Sequence, residues 1–423
     1  MANQTADVVV IGGGPAGASI LWALERATPG SKSLLIEQSE TLGAGSSRAS
    51  LECYRSCWPT PCIAKQMQRS IHIFHNAEQY FHPGSILSLG IRQHGYLFCG
   101  FTQRQADALR ADVRHLHRMG STHVAYLDAD EAQYRFGWLG PQLIAAKYDP
   151  RAGSIDSNAL IQAYVKSAPS AQILTGVGRV EICVKNKRVT GVKLPDKRID
   201  SPNVVIAAGA NARTVGRSAG VNLPVVVRPR QSFTTTWRHD AFPEDGPMVI
   251  GAAPHPHLRP EARSGAIFGW EYTWRNKEVP QEEAQDADAL REPYYPLDNL
   301  KDSRFPSMTL ALLARQFGHK AGEGFADPRY LRGIRHHIGY YVYRDDSNAY
   351  VKLPDGSPKP YHSERAILDE HPGVSGLFLS IAHVGHGIMT SPASGEIMAA
   401  KILRKNTRPA VCRFWPRRPL GRA

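Results

Sequence analysis

Four consecutive β-branched residues, Val8-Val9-Val10-Ile11, have no polar residue among them. Such a run predicts a strand buried on both faces, as in a parallel sheet, since a strand with one wet face would alternate. Ala18 to Ala27 follows with a helical pattern, and Ser33-Leu34-Leu35-Ile36-Glu37 reads as a second strand ending in an acid. Further on, Gln103 to Met119 is amphipathic, with Ala106, Leu109, Val113 and Leu116 on one face. Ser154 to Ser167 predicts another helix, with Asp156 or Ser157 as N-cap. A hairpin is expected with arms near Arg179–Val184 and Arg188–Leu194. Beyond it, Asn203 to Ala212 predicts a strand running into small residues and a glycine. Gly376 to Glu396 predicts a strand, a glycine-rich turn and a helix starting near Ser391. Residues 275–305, rich in Pro, Asp, Glu and Lys, read as a surface excursion, either a variable loop or a lid.

At 423 residues the chain is too long for one simple core and suits two packed domains. Its 42% hydrophobic and 21% charged content is that of an ordinary soluble globular protein. The 17 uncharged residues between Asp7 and Glu25 are interrupted by Gly12-Gly13-Gly14-Pro15, which argues against a membrane span. No charged segment precedes the first apolar run, so a secretory signal is not expected; the six cysteines then read as reduced thiols and the location as cytoplasmic. The net charge of +13 would suit nucleic acid, an anionic membrane surface or an anionic substrate. Lys and Arg are spread along the chain, so nucleic acid is not expected. The one dense basic run is the tail from Lys401 to Arg422; residues 406–423 read as a solvated extension, with a weak membrane contact as the alternative.

The chemistry lies first in Gly12-Gly13-Gly14-Pro15-Ala16-Gly17, a G-x-G-x-x-G set between a strand and a helix. Gly12 permits the tight turn, Gly14 lets a pyrophosphate approach the backbone, and Gly17 lets the helix pack on the strand. The helix start offers N–H groups and a partial positive charge to phosphates. Glu37, 20 residues beyond Gly17, suits ribose hydroxyls, and an acid there disfavours the 2′-phosphate of NADP. This motif alone leaves FAD and NAD open. The small-residue turns at Ala207-Ala208-Gly209 and Gly385-His386-Gly387 add two places where backbone can approach a flat ligand.

With these segments in this order, and the Ser-rich loop Gly43-Ala44-Gly45-Ser46-Ser47, the chain resembles the D-amino-acid oxidase / sarcosine oxidase / glycine oxidase superfamily of FAD-dependent oxidoreductases along almost its whole length. The resemblance implies an α/β fold: a Rossmann-like FAD-binding domain (1–75, 150–227 and 345–405) interleaved with an α+β substrate domain on a mainly antiparallel sheet (76–149 and 228–344). It implies that Gly12, Gly14 and Gly17, with Pro15 and Ala16, hold the pyrophosphate, and that Glu37, with Gln38 beside it, holds the ribose. Ser46 and Ser47 match the loop that passes the pyrophosphate and flavin, Val180 the backbone at adenine, and Ala208 and Gly209 a second cofactor contact. Gly385, His386 and Gly387, continuing into Ile388 and Met389, match the turn under the flavin ring. A local likeness at Gly339 to Asp345 is to FAD-dependent oxidoreductase-domain proteins linked to respiratory complex I assembly.

The flavin performs the redox step in this family, so no nucleophile triad is required. The implied reaction is oxidation of the C–N bond of a small amine or amino acid by hydride transfer to flavin N5, giving an imine, with oxygen or an electron carrier as final acceptor. The alternatives are a 2-hydroxy acid dehydrogenase of the same superfamily or an FAD-stabilised assembly factor with little turnover; a flavin monooxygenase is disfavoured because the C-terminal cofactor segment has no G-D dipeptide. Cys53, Cys57 and Cys62 lack paired C-x-x-C zinc spacing, and no metal is expected. Counted from Ser46, Arg55 falls where related amine oxidases carry a carboxylate-binding Arg. Arg344 is a second candidate anchor; Tyr272, after Trp270 and Glu271, is a candidate cavity residue, and His386 a candidate beside the flavin. The chain also departs from the family pattern. Met389 stands near the place of a carboxylate-binding Lys, Glu52 stands in place of a flavin-side Arg, and Tyr340-Tyr341 lacks the glycine oxidase Arg. No Cys lies at 339–358, so noncovalent FAD is expected.

Overall fold

The computed structural model describes residues 4–270, 284–286, 289–345, 350–352, 358–360 and 365–404. Val8–Ile11 lies in the middle of a six-stranded sheet, with every residue buried, as the unbroken apolar run requires. The order across the sheet is Ile367–Glu370, Leu377–Ile381, Val204–Ile206, Val8–Ile11, Ser33–Ile36 and Gln172–Leu174. All pairings are parallel except that of the edge strand Ile367–Glu370. A second, ten-stranded sheet draws on 96–149 and 225–344, and its one parallel pairing joins Met248–Ile250 to Tyr96–Gly100. Its longest ladder runs from Val225↔Arg344 to Thr234↔Arg335. This is an α/β fold in which a parallel nucleotide-type sheet and a mainly antiparallel sheet are built from alternating stretches of chain.

The local elements follow their sequence signals. The first helix, Pro15–Ala27, takes Pro at its opening position, where the missing N–H costs nothing. Helix Gln103–Arg118 is capped by Thr102, and Asp156 caps Ser157–Lys166 by accepting from the Ala159 amide at 2.8 Å. The hairpin arms are Glu181–Lys185 and Arg188–Lys193; Asn186 and Lys187 turn the corner at φ 51° and 57°, a conformation that matches the twist of the arms.

The closing helix differs from expectation. It begins at Gly387 rather than near Ser391 and runs to Ile402 with Pro392 inside it. Proline removes the N–H that would bond the Ile388 carbonyl, and the Ser391 hydroxyl donates to that carbonyl instead, at 2.8 Å. The helix therefore survives a residue that reads in sequence as its start. It packs on the first helix, and a Cβ placed at Gly395 would lie 2.4 Å from the Ser19 carbonyl oxygen. In the other half, Phe233 and Phe268 stack at 4.9 Å from neighbouring strands and anchor a separate aromatic core. Among the described residues no helix is long and apolar enough to cross a membrane. The basic tail at 406–423 lies outside the described residues.

Gly395→Ala should force the first and closing helices apart and lower stability by about 1–3 kcal/mol. Thermal unfolding followed by circular dichroism checks this, and a variant as stable as the parent would show that the two helices are not in backbone contact.

Candidate functional site

At the end of strand Val8–Ile11 the backbone turns so tightly that three segments meet with no side chain between them. Gly12 has φ +117°, and a Cβ there would stand 2.3 Å from the Ala207 carbonyl oxygen. A Cβ on Gly17 would stand 1.9 Å from the Gly12 carbonyl oxygen, so Gly17 serves helix-on-strand packing. Gly14 is different: nothing lies within 4 Å of where its Cβ would be. The space it faces is a cavity of about 830 Å³, within the range of cofactor pockets. The first helix starts here with no side-chain cap, leaving its N–H groups for an anion. The Glu37 carboxylate is fixed by two amides, accepting from Gly13 N at 2.7 Å and Ser39 N at 2.9 Å. Gln38, Ser46, Ser47, Val180, Ala208 and Gly209 also line this cavity, as do Pro15 and Ala16.

The other end of the cavity is the turn before the closing helix. Ala382 and Val384 have φ of 60° and 52°, a left-handed conformation that costs non-glycine residues energy. The turn is pinned by the Val384 amide donating to the Val342 carbonyl at 2.9 Å and by the ring of Tyr341, which would lie 2.7 Å from a Cβ on Gly385. Gly385, Gly387 and Ile388 line the cavity, and the helix N-terminus at Gly387 directs positive potential towards it. His386 sits at that N-cap with its ring edge-on to Trp58, centroids 4.2 Å apart, and does not line the cavity. Met389 is 6% exposed and points into the core below. His383, absent from the sequence-based set, lines the cavity; burial lowers its pKa to about 4 and keeps the imidazole neutral. Its Nε2 lies 3.1 Å from the Ser380 hydroxyl.

Arg55 does not line the cavity; it reaches this turn through Trp58, whose ring meets His386. Its guanidinium lies 3.8 Å from the centre of the Trp58 ring and 5.1 Å from that of Phe98, in a cation–π box closed by Tyr96. Among the described residues no carboxylate pairs with it. The loop that carries it is clamped by Asp149, a fully buried carboxylate that accepts from Ser56 N at 2.7 Å, Ser56 Oγ at 2.8 Å and Cys57 N at 2.9 Å. Glu52 turns away to the start of helix Ser157–Lys166, where it accepts from Ser157 N at 3.0 Å. Arg344 ends the strand Arg335–Arg344, opposite Val225, and does not line the cavity. Trp270 leans on Phe305, centroids 6.0 Å apart, while Tyr272 lies outside the described residues. Among the described residues no three His, Cys, Asp or Glu side chains gather as a metal site.

A family profile described as FAD dependent oxidoreductase matches residues 7–304. The chain belongs to this family and is an FAD-dependent oxidoreductase. It is 25% identical over 281 residues to sarcosine oxidase subunit beta of Rhizobium meliloti, a match covering 62% of this chain and 63% of that subunit. It is 23% identical over 441 residues to bovine FAD-dependent oxidoreductase domain-containing protein 1, covering 95% of this chain and 82% of that protein. The crystal structure of L-proline dehydrogenase from P. horikoshii superposes with a TM-score of 0.74 at 21% identity, over 97% of this chain and 96% of that one. The cavity fits FAD on its own terms, since it runs from an uncapped helix start and an open Gly14 to a strained turn at a second helix start.

Gly14→Val should abolish FAD binding while leaving the fold intact, because its side chain meets only the cavity. Absorbance near the flavin band and far-UV circular dichroism check this; a yellow Gly14→Val protein would remove the pyrophosphate from this turn.

Proposed function

We propose that the protein oxidises the C–N bond of a small amine or amino acid that bears a carboxylate, using noncovalently held FAD, and releases an imine that hydrolyses. The observation that carries this reading is Arg55, a guanidinium without a described carboxylate partner, stacked on Trp58, whose edge meets His386 at the start of the closing helix. A guanidinium matches both oxygens of a carboxylate through its fork. The names of sarcosine oxidase subunit beta and L-proline dehydrogenase, among the similar proteins, support an amine or amino-acid substrate.

In this reading Gly12, Gly14 and the start of the first helix hold the pyrophosphate of FAD, and Glu37 the ribose. Bound FAD supplies the two-electron acceptor. Arg55 binds the carboxylate, and the aromatic box of Trp58, Tyr96 and Phe98 fixes the guanidinium in one place and sheds water around it. Asp149 is a positioning residue, since it sets the path of the loop rather than touching substrate. The N-terminus at Gly387 favours negative charge at that end of the cavity.

Anaerobic mixing with amines, amino acids and 2-hydroxy acids should bleach the flavin absorbance with a member of the first two groups. Bleaching by hydroxy acids alone, or by none of the three, overturns the proposal. Once a carboxylated substrate is found, Arg55→Ala should lower kcat/KM roughly 10–150-fold, the weight of a charged hydrogen bond. Arg55→Lys should recover only part, and the methyl ester of the same substrate should barely register the loss. Equal losses for acid and ester would make Arg55 a structural residue.

A further inference from the structure

The strands of the ten-stranded sheet come from the substrate half, yet one stretch beyond Ala289–Leu290 crosses to the nucleotide half. Leu290 pairs with Val227, and the next residues run over the helix Ala212–Ser218. There the Glu292 carboxylate meets the Arg217 guanidinium at 2.8 Å and accepts from the Thr214 hydroxyl at 2.7 Å. Two residues on, the backbone is fastened again: Tyr294 N donates to the Tyr340 hydroxyl at 2.7 Å, and that hydroxyl donates to Tyr294 O at 2.8 Å. Immediately after these two fastenings, Tyr295 and Leu297 line the cavity, next to Thr214, Arg217 and Ser218. The Tyr295 ring meets that of Tyr340 edge-on, centroids 6.3 Å apart. Tyr295 is nevertheless 52% exposed, so ring surface is available to a flat group in the cavity.

We propose that residues 292–297 are a strap that retains the nucleotide half of FAD, with the Glu292–Arg217 pair as its latch and Tyr295 as the surface that bears on the ligand. The proposal rests on the reading that this cavity holds FAD. A group under the strap leaves only when the strap lifts, and lifting separates Glu292 from Arg217 and Thr214. Dissociation of FAD is thereby tied to an ion pair whose Arg217 side is open to solvent, where salt weakens it, while the buried Arg213 faces the same Glu292 oxygen at 3.8 Å.

The test is the rate at which FAD-loaded protein releases flavin on dilution, followed as the rise in flavin fluorescence. Glu292→Gln, Arg217→Gln and Tyr295→Ala should each release FAD about tenfold faster, as loss of a charge-assisted contact or of the covering ring predicts. Added salt should accelerate release from the parent and leave Glu292→Gln nearly unchanged. Release from all three variants at the parent rate overturns the strap, and so does faster release confined to a variant whose apoprotein also melts early. A parent protein that takes up no FAD at all would instead overturn the assignment of the cavity.

Discussion

The nucleotide half depends on one close approach, the meeting of Gly12, Gly17 and Ala207 where strand, helix and neighbouring strand converge. A Cβ on Gly17 would come within 1.9 Å of the Gly12 oxygen, and one on Gly12 within 2.3 Å of the Ala207 oxygen. No rotamer change relieves a clash with backbone, so both positions must lack side chains. The consequences spread outward. The first helix can lie against the sheet, its uncapped start reaches the cavity, and the strand Val204–Ile206 sits close enough for its own small-residue turn to line the same space. The closing helix adds a second contact of the same kind at Gly395, against the backbone of Ser19.

What was legible in the sequence is what local chemistry dictates. The glycines at 12, 14 and 17, the acid at 37, the strands at 8–11 and 204–206 and the cap at Asp156 each announce themselves through residue type and spacing. What was not legible depends on distant partners. The start of the closing helix was displaced because Pro392 mimics a first-turn proline, while the serine that repairs the missing bond gives no sign of doing so. Resemblance puts Met389 beside the flavin, yet helical geometry turns it into the core. The left-handed Ala382 and Val384 carry no glycine or asparagine to betray them. Asp149 could not have been found, since its partners lie 93 and 92 residues earlier.

The loop that carries Arg55 is organised by that buried carboxylate. Asp149 ends a strand of the antiparallel sheet, and three donors of the Ser56-Cys57 loop converge on it. A carboxylate this deeply placed is stable only because its oxygens are satisfied by backbone and hydroxyl donors. The arrangement carries the rigidity of the sheet into a loop, and through the loop into Arg55 and Trp58. Trp58 then joins this unit to His386, so the Arg55 box and the turn before the closing helix share one aromatic contact.

The alternation of chain between the two sheets has a consequence for biosynthesis. On the ribosome, the strand Val204–Ile206 emerges long before Leu377–Ile381, which covers its open edge, and the first helix emerges long before Gly387–Ile402, which covers its apolar face. Until residues 377–402 are made, the nucleotide half presents an unpaired strand edge and an uncovered helix, the surfaces most prone to mispairing and to capture by chaperones. The ten-stranded sheet has its last strand by Arg344, so it can be complete while the half that opens the chain still waits for its closing strand and helix.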